Sequence, residues 1–145
     1  MQKDYEAALG AFLVIFNRIE NTVSDIVVLA LKKAEREDIL RSLSGDLFAR
    51  KLTTLELLSV AYPQAAPREL VEELRRLGAE RNNLAHGHFD QNPFDGSYRV
   101  VTDRNTLSIS VAQIGKLTAR ADKAWDELRS SQAFFWFDDL GSGGD

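Results

Sequence analysis

Several features that define particular kinds of protein are missing from this chain. It contains no cysteine, which excludes disulfide bonds, thiolate metal ligands and a cysteine nucleophile. The apolar run nearest its start covers residues 12–16 only, far too few to cross a bilayer. The first ten residues carry charges and no cleavage-type pattern, so we expect no secretory signal. These absences favour a cytoplasmic protein that does not enter a membrane.

Basic residues are also fewer than acidic residues in this chain. The sequence has 18 Lys and Arg residues against 22 Asp and Glu residues, a formal net charge of -4. Proteins that bind duplex nucleic acid gain much of their affinity by neutralising phosphates, so this balance argues against a broad nucleic-acid surface. It leaves room for a small phosphate site.

The apolar periodicity indicates a helical protein. The 145 residues suit one domain, which we place at residues 1–140, and residues 141–145 are typical of a disordered tail. Helices are predicted over residues 4–33, 35–43, 46–62 and 67–86, with a last helix capped by Ser110 and Gln113. Residues 98–102 and 106–111 have the pattern of two short strands. We therefore predict an all-α fold, a four- or five-helix up-and-down bundle with a small β-hairpin before the last helix.

The first predicted helix is apolar on more than one face. Its main stripe follows alternating spacings of four and three: Tyr5, Leu9, Phe12, Phe16, Ile19, Val23, Ile26 and Ala30. Val14, Ile15, Val27 and Leu31 lie off this stripe. The helix is therefore either central in the bundle or half of a subunit interface. The aromatic residues 134–137 are expected to pack on the chain's own core rather than on a partner.

Residues 80–88, with the sequence ERNNLAHGH, carry the most chemistry. Asn82 and His86 are four residues apart, so they lie on one helix face a single turn apart. A histidine just before a glycine is also a favourable helix C-terminal cation, because its charge complements the helix dipole. His86 alone therefore does not indicate catalysis.

Arg81 interrupts an apolar stripe. It follows Leu77 by four residues and Leu74 by seven, so it lies in line with the inward face of the fourth helix. A guanidinium left dry and unpaired is costly. We therefore expect it to meet a carboxylate, a water-filled pocket or a phosphate, and Glu20 is the expected carboxylate.

This stretch resembles the Arg-x4–6-His motif of HEPN domains. Arg81 and His86 match it with four intervening residues, and Asn82 matches the polar residue that follows the arginine. The segments FNRIE (residues 16–20) and FARKL (residues 48–52) also resemble the family. The likeness covers the first four predicted helices.

The resemblance implies a metal-independent endoribonuclease that cleaves single-stranded RNA at a composite site of a homodimer. His86 would act as general acid or base, because an imidazole has an unperturbed pKa of about 6.5. Arg81 would hold phosphate oxygens, and Asn82 would orient the imidazole or the phosphate. We add His88 and Glu20 as substrate-binding candidates. No metal or cofactor is expected, and a toxin or defence effector with an antitoxin partner is the implied role.

Two other functions stay open. A non-catalytic helical module that regulates a partner protein would account for the acidic charge and the aromatic cluster. A nucleotide-binding domain would use Arg81 to hold a phosphate. A metal site made of His86, His88 and Asp90 is not expected, because the spacing is unusual and the chain has only two histidines.

Overall fold

The computed structural model describes residues 2–43, 45, 47–63, 65–86, 88–91, 98–101 and 106–142. For residues 2, 85, 86, 88–91, 98–101, 106–108, 134 and 136–142 it describes the backbone alone. Within these ranges the chain forms five helices and three strands: α1 (Gln2–Lys33), α2 (Glu37–Leu43), α3 (Phe48–Ala61), α4 (Arg68–His86), β1 (His88–Gln91), β2 (Tyr98–Val101), β3 (Thr106–Ser108) and α5 (Val111–Ser142). The core is all-α. In the described part of the chain, none of the helices combines the length and the apolar character needed to cross a membrane.

Helix α1 is the central element of the bundle. Every member of its predicted stripe is buried except Leu9, which is half-buried. Ile15, Val27 and Leu31, which lie off that stripe, are buried as well, because α1 packs against α5 on one side and α3 on another. Of the off-stripe residues, Val14 is exposed, at 56%. The extra apolar surface is thus mostly used inside the chain and gives little support to a subunit interface.

The apolar spacing predicts an inward face on two further helices, made of Leu47, Phe48, Leu52, Leu55 and Leu58 on α3 and of Leu70, Leu74 and Leu77 on α4. On α4, Leu70, Leu74 and Leu77 are buried, and on α3, Leu52 is buried. The prediction for Leu47 was wrong: it is 81% exposed, because it is the N-cap residue of α3 and lies outside the helix face. For α5 the spacing predicts an inward stripe of Ile114, Leu117, Ala121, Ala124, Trp125 and Leu128. This stripe is confirmed, since all its members are buried except the half-buried Trp125.

The turn after α1 is built around a left-handed residue. Glu35 has a φ of 57°. Its amide donates to the carbonyl of Lys32 and the amide of Arg36 donates to the carbonyl of Leu31, the paired pattern of a Schellman C-cap. Arg36 then donates two side-chain hydrogen bonds, each 3.1 Å long, to the carboxylate of Asp38. This contact holds the pKa of Asp38 below its usual range.

The start of α5 confirms the predicted cap. The Gln113 amide donates to Ser110 Oγ over 3.1 Å, and the Ser110 amide donates to Gln113 Oε1 over 2.7 Å. This reciprocal pair is a capping box. Helix α5 continues to Ser142, so Gly141 and Ser142, expected in a disordered tail, are helical. Residues 143–145 lie outside the described residues.

A small antiparallel sheet lies between α4 and α5 in the sequence. Its strand order is β1-β2-β3, with Phe89 opposite Val100 and Val100 opposite Leu107. Strand β1 was not predicted, because the composition of residues 90–97, DQNPFDGS, is typical of a turn. Residues 109–110 are not in a strand, although the second predicted strand extended to residue 111, where α5 now begins.

The aromatic cluster near the chain end contributes to the core. Phe135 is 1% exposed, and its ring meets that of Tyr62 edge-on, with centroids 5.8 Å apart. For Phe135, packing on the chain's own core is confirmed. The side chains of residues 134, 136 and 137 lie outside the described residues.

Candidate functional site

Arg81 stands at the edge of the core on α4. Leu77 and Leu84, one turn before and after it, are buried, and this rotation leaves Arg81 half-buried. Its Cζ atom lies 5.9 Å from the centroid of the Phe16 ring on α1. Its Nη1 donates a 3.3 Å hydrogen bond to Oδ1 of the exposed Asn82. The guanidinium therefore contacts an aromatic ring and an amide oxygen, and part of the Arg81 side chain remains exposed to solvent.

Arg81 differs from the other arginines of its helix. Arg68 pairs with Glu72 at 3.3 Å. Two more pairs follow along α4 and its neighbours: Arg75 with Glu56 at 2.6 Å, and Arg76 with Glu73 at 3.6 Å. Among the described residues, no carboxylate lies within 4.0 Å of the Arg81 guanidinium. In the described part of the chain it is the one arginine of α4 that contacts no carboxylate.

The expected ion pair between Arg81 and Glu20 is therefore wrong. Glu20 is half-buried on α1 and lines the same groove as Arg81, yet the described residues contain no contact of 4.0 Å or less between them. Phe16 lies one helical turn before Glu20, and it is the Phe16 ring that contacts the guanidinium. An aromatic face thus occupies the position where we expected a carboxylate.

The groove beside Arg81 lies between α1, α3 and α4. Its volume is about 720 Å³, within the range of small-molecule sites. Lys51, Arg75 and Arg81 line it, with Glu20 as its one acidic lining residue in the described part of the chain. Glu56 pairs with Arg75, so the cationic character of the groove comes from Lys51 and Arg81, in a protein whose net charge is -4.

Gly78 shapes the floor of the groove. A Cβ atom at this position would lie 3.2 Å from two ring carbons of Phe48, so the glycine lets that ring lie against α4. The Phe48 ring in turn meets the Phe16 ring edge-on, with centroids 5.0 Å apart. This aromatic pair forms an apolar wall next to the Arg81 guanidinium.

The two histidines are placed by their backbone alone. His86 is the last residue of α4, one turn after Asn82, and His88 is the first residue of β1. Their side chains, and that of Asp90, lie outside the described residues. Convergence of His86 with Arg81, in one chain or across two, stays a prediction, as does the substrate-binding role of His88.

Sequence reasoning missed two cations of the groove. Lys51 follows Phe48 by three residues and precedes Leu55 by four, so it lies on the inward face of α3. Arg75 lies one residue after the buried Leu74 and also lines the groove. A charged residue in line with an apolar stripe was the signal that identified Arg81, and the same signal would have identified Lys51.

The described residues do not form a candidate metal centre. No group of three His, Asp or Glu side chains lies close enough there to hold a metal ion. Comparison of the chain with models of known protein families, with curated proteins and with solved structures finds no match.

Proposed function

We propose that the chain is a metal-independent endoribonuclease of the HEPN type, which binds a phosphodiester of single-stranded RNA at Arg81. The observation that carries the proposal is that Arg81 is half-buried while its guanidinium has no carboxylate within 4.0 Å among the described residues. The other arginines of the same helix are each paired with a glutamate. A cation held against the core without a counter-charge is suited to an anion from outside the chain.

The surroundings of Arg81 favour phosphate over other anions. Its guanidinium can donate two parallel hydrogen bonds to two phosphate oxygens. Asn82 already accepts from Arg81 through Oδ1, which leaves its amide nitrogen to donate to a third oxygen. Lys51 adds positive charge to the same groove, and Arg75, which also lines it, is paired with Glu56. Together these residues supply the donors that a phosphodiester needs.

RNA provides its own nucleophile for the reaction. The ribose 2'-hydroxyl attacks the adjacent phosphorus, and the bond from phosphorus to the 5'-oxygen breaks. One imidazole of His86 takes the proton of the 2'-hydroxyl, and a protonated imidazole gives a proton to the departing 5'-oxygen. Arg81 stabilises the charge that develops on the phosphate oxygens. The products are a 2',3'-cyclic phosphate and a 5'-hydroxyl.

The proposal includes a homodimer, because two copies of His86 fill the acid and base roles at a shared groove. His88 and Glu20 contact the substrate, and Glu20 lines the groove from α1. We take the bundle as up-and-down, with β2 and β3 as the hairpin expected before α5. A cytoplasmic toxin or defence effector, held in check by an antitoxin, is the matching role.

Cleavage in excess chelator tests the proposal. We expect the purified protein to cut single-stranded RNA and to leave cyclic phosphate ends, with a bell-shaped dependence of rate on pH. His86→Ala and Arg81→Ala should each lose cleavage, while Arg68→Ala, on the exposed face of the same helix, should not. RNA with a 2'-deoxyribose at the cleaved position should resist.

Two results would overturn this proposal. The first is intact RNA after long incubation with a folded wild-type protein. The second is cutting that Arg81→Ala leaves unchanged. Full activity of a protein that light scattering shows to be monomeric would contradict the composite site. Expression in bacteria distinguishes the nuclease from a non-catalytic regulatory module. A nuclease should slow growth, and Arg81→Ala should restore it, whereas a regulatory module should not affect growth.

A further inference from the structure

A second cavity lies between α1, α2 and α3. Its volume is about 190 Å³. Its walls are mostly apolar, made by Val27, Val28, Leu40 and Leu43. None of the described residues that line it is acidic. The cavity is apolar along its sides and carries its polar groups on Ser24, Lys51 and Thr54.

Lys51 gives this cavity a positive charge. It is half-buried on α3, and its Nζ donates a 3.0 Å hydrogen bond to Ser24 Oγ on α1. No carboxylate lies within 4.0 Å of that nitrogen among the described residues. An ammonium has three N–H donors, so donation to Ser24 leaves two for another acceptor.

The hydroxyl groups of Ser24 and Thr54 determine which hydrogen bonds a ligand could form in this cavity. Ser24 accepts from Lys51, so its own proton remains to be donated. Thr54 already donates to the carbonyl of Arg50, over 3.2 Å, and so offers only acceptor capacity. Among the described lining side chains, the available donors are therefore those of Lys51 and Ser24, which lie side by side and fit the two oxygens of a carboxylate.

We propose that this cavity binds a small aliphatic monocarboxylate, with its carboxylate at Lys51 and Ser24 and its hydrocarbon tail against Val28 and Leu40. A cavity of about 150 Å³ holds a six-carbon ring. A space of about 190 Å³ accordingly accepts a branched acid of similar size. A nucleotide or a dicarboxylate is too large or too polar for these walls.

The binding does not depend on RNA cleavage. Lys51 lines both this cavity and the groove of Arg81. Ser24, Val28 and Leu40 line this cavity and do not line the groove. An Arg81→Ala protein should therefore bind the carboxylate as the wild type does. Loss of nuclease activity would leave this proposal standing, and the reverse also holds.

Titration with 3-methylbutanoate, followed by amide chemical shifts of the full chain, tests the site. We expect saturable shifts concentrated near Ser24, Val28 and Leu40. The neutral isostere 3-methylbutanamide should bind about tenfold more weakly, since it lacks the charge-assisted hydrogen bond. Lys51→Met should lose binding, and Lys32→Met, an exposed lysine of α1, should not.

Ser24→Ala provides a second variant if Lys51→Met does not fold, and it should weaken binding of the carboxylate more than that of the amide. The proposal fails if shifts do not saturate. It also fails if the amide binds as well as the acid, or if neither variant changes the affinity.

Discussion

Replacing Arg81 by methionine separates a structural role for this side chain from a functional one. Methionine keeps an unbranched side chain and has nearly the same helix propensity as arginine. The change removes the charge from a half-buried position that lies between Leu77 and Leu84 on α4. If Arg81 is present for function, its loss should leave the fold almost unaffected.

The contacts of Arg81 set the expected change in stability. The contact with the Phe16 ring, at 5.9 Å, is worth about 0.5–1 kcal/mol. The hydrogen bond to Asn82 is long, at 3.3 Å and exposed, and adds about 0.5 kcal/mol. Methionine offsets part of this loss, because it needs no hydration at a half-buried site. The free energy of unfolding should therefore change by no more than about 1 kcal/mol, or a few degrees in Tm.

The effect on RNA cleavage should be much larger. Removal of a group that stabilises charge in a transition state lowers the rate by about 100- to 1000-fold. Urea denaturation and cleavage of labelled RNA in chelator, on the same preparation, measure both effects. Arg76→Met is the matched control, because Arg76 is exposed on the same helix and pairs with Glu73. Destabilisation by more than about 3 kcal/mol, as expected for a broken buried ion pair, would refute the reasoning.

Three further substitutions and one matched control test the fold. Glu35→Gly should raise the free energy of unfolding by about 1 kcal/mol, because its left-handed φ of 57° strains any residue with a Cβ atom; a loss in chemical denaturation would contradict the C-cap. Ser110→Ala should lower stability by about 1 kcal/mol, since it removes the Oγ that accepts from the Gln113 amide, and an unchanged thermal melt would argue against the cap. Phe12→Ala, at a fully buried position, should cost about 3–5 kcal/mol, whereas Val14→Ala on the same helix, at 56% exposure, should cost about 0.5 kcal/mol or less. Equal urea midpoints for these two variants would contradict the orientation of α1.

The helices were predictable because one rule determines most of them. A helix in a bundle must bury a stripe, and residues three and four apart share that stripe wherever the neighbouring helices lie. The stripes of α1 and α5 follow directly from this rule. The exposure of Leu47 could not be predicted in this way, because the spacing of apolar residues does not show that Leu47 precedes the first helical turn of α3. Strand β1 was missed because His88–Gln91 contains no β-branched residue, and its strand conformation depends on pairing with β2.

The candidate site was predictable in part, for a related reason. The inward position of Arg81 follows from its spacing to Leu77, which is a property of one helix. Its contact with Phe16 rather than Glu20 depends on how α1 and α4 are rotated against each other. That rotation is set by packing across the whole core, so no local pattern reveals it. The groove and its other cations, Lys51 among them, appear only once three helices are assembled.

The sequence of α4 itself provides no counter-charge for Arg81 one helical turn before or after it. The residues one turn away from it are Leu77, Gly78, Leu84 and Ala85, and none of these side chains accepts a hydrogen bond. A neutralising acid therefore has to come from another helix, and Glu20 does not reach within 4.0 Å. A guanidinium with no acid within 4.0 Å in the described part of the chain is better matched to an anionic ligand than to the fold. If so, the affinity for single-stranded RNA should fall steeply with salt in the wild type, and Arg81→Met should reduce that slope.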